Sequence, residues 1–216
     1  VVKLGGAAPL TGNQSHLGKD LENGTRLAIE EANAKGVTIG GKRIKFELIG
    51  EDDQADPRTG TTVAQRLVDA GVKGVIGHLN SGTSIPASRI YDQAGIPQVS
   101  PASTNPKLTL QNFSGVFRTI ANDVQQGTGL GKYATGPLGA KRVAIIDDRT
   151  AYGQGLADET AKAVKESGGE VVAREFTTDK ATDFNAILTK IRATNPEVIF
   201  YGGMDAQAGA MLRQMD

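Results

Sequence analysis

Short apolar runs rich in valine and isoleucine alternate along this chain with longer stretches whose apolar residues recur at helical spacing. That rhythm is the one expected of strand–helix–strand units around a parallel sheet, an α/β fold. The first run is Val1 to Ala8, and Leu17, Leu21, Gly24, Ala28 and Ala32 then trace a helix that Gly36 stops. Gly40-Gly41 breaks the chain before Arg43 to Ile49, whose alternation of charged and apolar residues predicts a second strand over 42–50 with one wet face. Asp56-Pro57 reads as an N-cap with proline at the first helical position, followed by the stripe Val63, Leu67, Ala70 and a stop at Gly71. A third strand over 74–79, a helix over 83–94, a strand at 97–100 and an extended piece at 116–119 complete one sheet.

Beyond Asn122 the series restarts. Helices are predicted over 122–135, 152–167 and 184–193, and strands over 142–147, 171–176 and 198–201. Phe184, Ile187, Leu188 and Ile191 mark the buried face of the third of these helices, and a last helix begins at Ala208 and runs to Asp216. A boundary near residue 121 therefore divides the chain into lobes over 1–120 and 121–216. Neither tandem repeats nor low-complexity tracts are evident.

Composition narrows the function. Among 216 residues, 24 lysines and arginines balance 24 aspartates and glutamates, so no net field is available to hold nucleic acid or an anionic membrane. No run is long enough to span a bilayer, and no basic and apolar leader precedes Val1, so an export signal is read as missing or removed. The lack of cysteine excludes disulfides, thiolate metal sites and cysteine nucleophiles.

Open parallel sheets bind ligands beyond the carboxyl ends of their strands, which directs attention to the residues after each apolar run. After the third strand stands His78-Leu79-Asn80-Ser81-Gly82-Thr83-Ser84, and after the fourth Ser100-Pro101-Ala102-Ser103-Thr104-Asn105-Pro106. Hydroxyls and helix-start amides suit a carboxylate, and serine or threonine oxygens suit an ammonium, so the pair of segments fits a small zwitterion. The alternative on these residues alone is that they only cap helices and build turns. The second lobe offers Asp147-Asp148-Arg149-Thr150-Ala151-Tyr152 and Gly202-Gly203-Met204-Asp205 at corresponding places, with Tyr152 set to close over a ligand or to lie half buried on the sheet. Its two aspartates more often cap the next helix than hold a metal, and no metal or cofactor is expected.

Enzyme signatures fail in turn. Gly127-Thr128-Gly129-Leu130-Gly131-Lys132 resembles a phosphate loop, but Gln126 and Tyr133 break its spacing and it lies in a helical pattern. No Gly-x-Ser-x-Gly elbow occurs, and His16 and His78 have neither metal spacing nor an evident nucleophile; each is read as a polar residue near the crevice.

Val75-Ile76-Gly77-His78-Leu79, Pro86-Ala87-Ser88, Ile90-Tyr91, Ser100-Pro101 and Thr104-Asn105-Pro106 are very similar to the leucine/isoleucine/valine-binding proteins of bacterial ABC importers. The likeness extends to Pro9-Leu10-Thr11-Gly12, Asn33-Ala34-Lys35-Gly36, Tyr152-Gly153-Gln154-Gly155-Leu156-Ala157 and Tyr201-Gly202-Gly203. The resemblance implies a type I periplasmic binding protein, a Venus flytrap of two doubly wound lobes. It further implies a small amino acid, branched-chain first, captured between the lobes and delivered to a membrane ABC permease, without catalysis. Export to the periplasm, or a lipid-anchored place outside a Gram-positive cell, follows from the same likeness. The family's ligand contacts carry over onto Ser81, Ala102, Ser103 and Thr104, with Leu79 and Asn80 beside them and Tyr152 joining on closure.

Leu17 replaces a tryptophan of well-known members, Met204 an aromatic, and Asn80 and Ala55 a disulfide pair, so the choice of amino acid is open to change. Asp205, at the cleft edge, is read as an ammonium partner or as favouring a cationic ligand. The family continues beyond the helix in which this chain stops, and its usual acidic ammonium contact lies there. C-terminal strands and helices are therefore expected to be missing, and the open edge predicts self-association. Competing readings are a ligand-sensing receptor or regulator domain of the same fold, a flavodoxin-like enzyme, and a binding-incompetent fragment.

Overall fold

The computed structural model describes residues 1–215; Asp216, where the last expected helix ends, lies outside the described residues. The chain forms two compact units, one of residues 1–103 and 107–120 and the other of residues 104–106 and 121–216.

The first unit contains β1 (Val2–Ala8), α1 (Ser15–Lys35), β2 (Thr38–Ile39), β3 (Lys42–Arg43), β4 (Phe46–Asp52), α2 (Pro57–Asp69), β5 (Val75–Gly77), α3 (Ser81–Gln93), β6 (Gln98–Ser100) and β7 (Val116–Arg118). Its sheet runs β4-β1-β5-β6-β7 with every pair parallel. Side-chain alternation gives the sheet two apolar faces. Ala7 and Val75 meet Val63, Ala64 and Leu67 of α2 and Tyr91 of α3, while Leu4, Phe46 and Ile76 lie on the α1 side with Leu21 and Ala28. Helices on both faces make the unit doubly wound.

One expected strand is divided. Gly40 and Gly41, at φ +57° and +78°, turn a small antiparallel hairpin that pairs Lys42–Arg43 back onto Thr38–Ile39, so the strand predicted over 42–50 begins instead at Phe46. Positive φ at both turn positions suits a hairpin turn that only glycine or asparagine enters easily. Asn33 fixes the new start from outside the sheet: its Nδ2 donates to Phe46 O at 2.9 Å and its Oδ1 accepts from Phe46 N at 2.8 Å. Two helices likewise begin earlier than the pattern predicts, α3 at Ser81 and α7 at Asp205.

The second unit contains α4 (Asp123–Thr135), β8 (Arg142–Asp147), α5 (Ala151–Glu166), β9 (Glu170–Phe176), α6 (Asn185–Ala193), β10 (Val198–Gly202) and α7 (Asp205–Arg213). Its parallel sheet runs β10-β8-β9. Alternate residues of β8 serve two cores: Val143 and Ile145 pack with Ala157 and Val164 of α5, whereas Ala144 and Ile146 pack with Phe184, Ile191 and Met211. Burial on both faces explains why β8 reads as an unbroken apolar run. Of the expected stripe, Phe184 and Ile191 are buried, and Ile187 and Leu188 pack half-buried against the same cluster.

The glycine run that resembles a phosphate loop is part of α4 and serves helix packing. A Cβ on Gly127 would stand 2.7 Å from Glu159 Cβ, and one on Gly131 would stand 2.6 Å from Ala163 Cβ, both on α5. These two glycines, four apart, let the helix backbones approach, while Gly129 between them meets nothing.

Candidate functional site

In the first unit β1 is bordered by β4 on one side and β5 on the other, so the chain leaves the sheet in opposite directions beyond the ends of β1 and β5. That switch point is where open α/β sheets take ligands. The two loops there are joined by a side-chain bond, Asn80 Nδ2 to Gln14 Oε1 at 2.7 Å. The loop after β1 is held separately by Asp52, which accepts from Leu10 N at 2.8 Å, Thr11 Oγ1 at 2.6 Å and Gln54 N at 2.9 Å. Partial burial raises the Asp52 carboxyl, but the bonds from Thr11, Gln54 and Leu10 outweigh it and hold the group below the usual carboxylate range.

Asn80 is the N-cap residue of α3, yet its side chain makes no capping bond; the backbone carbonyl alone accepts, from Thr83 N at 3.2 Å and Ser84 N at 2.9 Å. With Nδ2 held by Gln14 and Oδ1 buried without a partner, the first-turn donors of α3 lack the side-chain acceptor that an asparagine normally supplies. Such a helix start favours a carboxylate. Ser81 lies buried there, and Leu79 and Ala102 are half-buried.

Ser103 is buried and links the loops around it. Its hydroxyl donates to Leu79 O at 3.0 Å and its amide to Ser100 Oγ at 3.0 Å, so its polar groups join the two polar segments to each other. The His78 side chain is fully buried, with Nδ1 2.7 Å from Asp53 Oδ2 and Nε2 3.0 Å from Tyr91 Oη. Leu17, in the first turns of α1, is half-buried.

In the second unit, Asn105 Nδ2 donates to Ala151 O at 2.7 Å and Thr104 O accepts from Asp123 N at 2.9 Å, fixing residues 104–106 at the start of α5, next to Tyr152. The Thr104 side chain is only 4% exposed, and its Oγ1 has no hydrogen-bond partner. A buried hydroxyl without a protein partner is costly, and a water or a ligand atom would satisfy it. Gly153 and Gly155 follow Tyr152 because space is short: a Cβ on Gly153 would meet Gly202 O at 2.4 Å, and one on Gly155 would meet Asn105 Nδ2 at 2.7 Å.

Asp148, at the end of β8, binds Thr150 N and Thr150 Oγ1 through Oδ1 at 2.9 and 2.7 Å, while its buried Oδ2 has no hydrogen-bond partner. Burial pushes this carboxyl up, the Thr150 bonds oppose that, and Asp179 and Asp147 add to the rise. Burial, then Asp123 and Asp148, likewise raise the Tyr152 hydroxyl. Met204 and Asp205 stand where β10 leads into α7, Met204 half-buried and Asp205 exposed. No cluster of three or more histidine, aspartate or glutamate side chains suited to a metal occurs among the described residues.

Leu79, Asn80, Ser81, Ala102, Ser103 and Leu17 thus belong to the first unit, and Thr104, Tyr152, Met204 and Asp205 to the second. Gln14 and Asp53 support these positions without any signal in the sequence, whereas Tyr91, Asn105 and Asp148 lie in segments that the sequence singles out.

Residues 1–216 match the model of the periplasmic binding protein family. The chain belongs to that family, a class of solute-binding proteins. It is 43% identical over 215 residues to an amino acid binding protein of Pseudomonas aeruginosa and 42% identical over 214 residues to Leu/Ile/Val-binding protein homolog 2 of Brucella abortus. Each alignment covers 99% of this chain but 57% of the relative, so the chain spans somewhat over half the length of the curated relatives it matches. Among solved structures it resembles the branched-chain amino acid transporter substrate-binding protein LivJ of Streptococcus pneumoniae in complex with isoleucine, with a TM-score of 0.86, 30% identity, and coverage of 100% of this chain and 60% of that one.

Proposed function

We propose that this chain is the ligand-capturing part of an extracytoplasmic solute-binding protein that takes up a small amino acid, branched-chain first, and hands it to a membrane ABC permease. The observation that carries this reading is the start of α3, which lacks a side-chain cap, in a chain of this family; the buried Thr104 hydroxyl of the second unit, without a protein partner, supports it separately. The α3 amides and Ser81 would hold the ligand carboxylate, the Ala102–Thr104 segment and Tyr152 its ammonium, and Leu79 and Leu17 its side chain. Asn80, Met204 and Asp205 would border the ligand. Neutral hydrogen bonds aligned with a helix dipole suffice for a zwitterion, whose charges need no full ionic neutralisation. The protein binds its ligand without converting it.

Equilibrium dialysis of the chain against labelled L-leucine, with unlabelled isoleucine, valine and glutamate as competitors, tests this. Saturable uptake displaced by isoleucine and valine but not by glutamate is expected. Displacement by glutamate alone would move the specificity, and no uptake of any amino acid would contradict the reading.

A further inference from the structure

Three side chains from distant parts of the first unit form a single buried chain. Asp53 follows β4, His78 follows β5 and Tyr91 sits in α3; all three are 0% exposed. Asp53 is fixed from below, its amide donating to Ala8 O at 3.1 Å and its Oδ1 accepting from Ala55 N at 3.0 Å. Its Oδ2 lies 2.7 Å from His78 Nδ1, and His78 Nε2 lies 3.0 Å from Tyr91 Oη. A carboxylate only accepts, so Nδ1 carries the proton; in the neutral ring Nε2 then accepts from the Tyr91 hydroxyl. Every polar atom of the ring has one partner, and the ring has one orientation.

The backbone of the same histidine gathers the loops. His78 O accepts from Ser100 Oγ at 2.8 Å and Ser84 Oγ at 3.1 Å, and Ser103 Oγ reaches it at 3.3 Å. Ser100 Oγ in turn accepts from Ser103 N at 3.0 Å. The residue thus joins the end of β5, the first turn of α3 and the segment after β6, the three pieces of backbone that lead to Leu79, Asn80, Ser81 and Ala102.

We infer that Asp53, His78 and Tyr91 are positioning residues for ligand binding: the buried chain clamps the His78 ring so that its carbonyl holds the polar segments after β5 and β6 in their receptive arrangement before ligand arrives. This inference rests on the functional reading given above for its ligand, though the order it imposes on the free protein stands apart from that reading. A tyrosine in the middle of α3, packed in the apolar core with Leu67 and Val75, gains little from its hydroxyl as a packing group. A phenylalanine would fill the same space. The hydroxyl is explained by the ring nitrogen that it meets.

Tyr91→Phe, His78→Leu and His78→Asn separate positioning from plain packing, because leucine and asparagine are close in size but only asparagine retains a donor for Asp53. Amide hydrogen exchange of the free chain is measured at residues 79–83, with β8 as internal reference, and L-leucine affinity by calorimetry. Tyr91→Phe and His78→Leu are expected to speed exchange at residues 79–83 by roughly tenfold while β8 is unchanged, and to weaken leucine binding by about tenfold through lost preorganisation. His78→Asn is expected to recover part of both effects. Exchange unchanged at residues 79–83, or raised equally in β8, would overturn the inference, as would unaltered leucine affinity in Tyr91→Phe. Should the unmodified chain bind no amino acid, the functional reading falls, and the exchange pattern alone decides the positioning claim.

Discussion

Asn80 donates a hydrogen bond to Gln14 Oε1 at 2.7 Å and so ties the loop after β1 to the start of α3. The same bond turns the one side chain able to cap α3 away from its amides. A stabilising cap has been given up at the place where a ligand carboxylate would take its role.

Replacing Asn80 by aspartate should reverse that choice. An aspartate at an N-cap accepts from the helix amides and is favoured by the helix dipole, a gain of about 0.5–2 kcal/mol over an uncapped start. Asn80→Asp is therefore expected to raise the melting temperature of the free chain and to abolish leucine binding, whereas Asn80→Ala weakens binding without stabilising. Thermal unfolding with and without leucine checks both halves.

Thr104→Val keeps the shape of a side chain whose Oγ1 has no partner. Removing a buried, unsatisfied hydroxyl costs the free protein nothing and returns up to ~1 kcal/mol. The free chain should unfold at the same denaturant concentration or a slightly higher one, while leucine no longer stabilises it. Clear destabilisation of the free chain would mean that the hydroxyl serves the fold.

Gly129→Ala and Gly131→Ala should act in opposite directions although they lie two residues apart in one helix. Alanine improves an open helical position by about 1 kcal/mol, and nothing surrounds Gly129. At Gly131 the added carbon would meet α5, and overpacking of this kind costs about 1–3 kcal/mol. Urea unfolding of the two variants gives the comparison directly.

Much of the architecture was legible because its signals are local. The cap at Asp56, whose Oδ1 accepts from Thr59 N at 2.7 Å, and the stop at Gly36, at φ +72°, are set by residues within one turn. β8 announced itself by being buried on both faces. The hairpin at Gly40-Gly41 did not, since a glycine pair signals a break and a turn alike, and the Asn33 clamp on Phe46 forms only once the chain has folded back. The candidate site divides in the same way. Ser81 and Thr104 could be named from their place after strands, but the roles of His78 and Ser103 depended on Asp53, Tyr91 and Leu79, contacts that span 13 to 25 residues.

Asp148 carries a pH signature. Its carboxyl is raised in the folded state, chiefly by burial, so ionising it opposes folding: stability is full below the unfolded carboxylate value and falls as pH rises through the higher folded one. Asp148→Asn keeps an acceptor for Thr150 and removes the charge. Its stability relative to the unmodified chain should be least favourable at low pH and improve as pH rises through the acid range. Urea unfolding between about pH 3 and pH 7 follows this, and a difference that stays flat would contradict it.

The central claim, that the polar strand ends of this chain hold an amino acid, is tested most directly by thermal unfolding against a panel of L-amino acids, with Ser81→Ala and Thr104→Val alongside. A ligand present at a hundred times its Kd stabilises the native state by about 2.7 kcal/mol. The account predicts that leucine, isoleucine or valine raises the melting temperature and that neither variant responds. A panel without any stabilising amino acid, or a stabilisation that both variants retain in full, would contradict it.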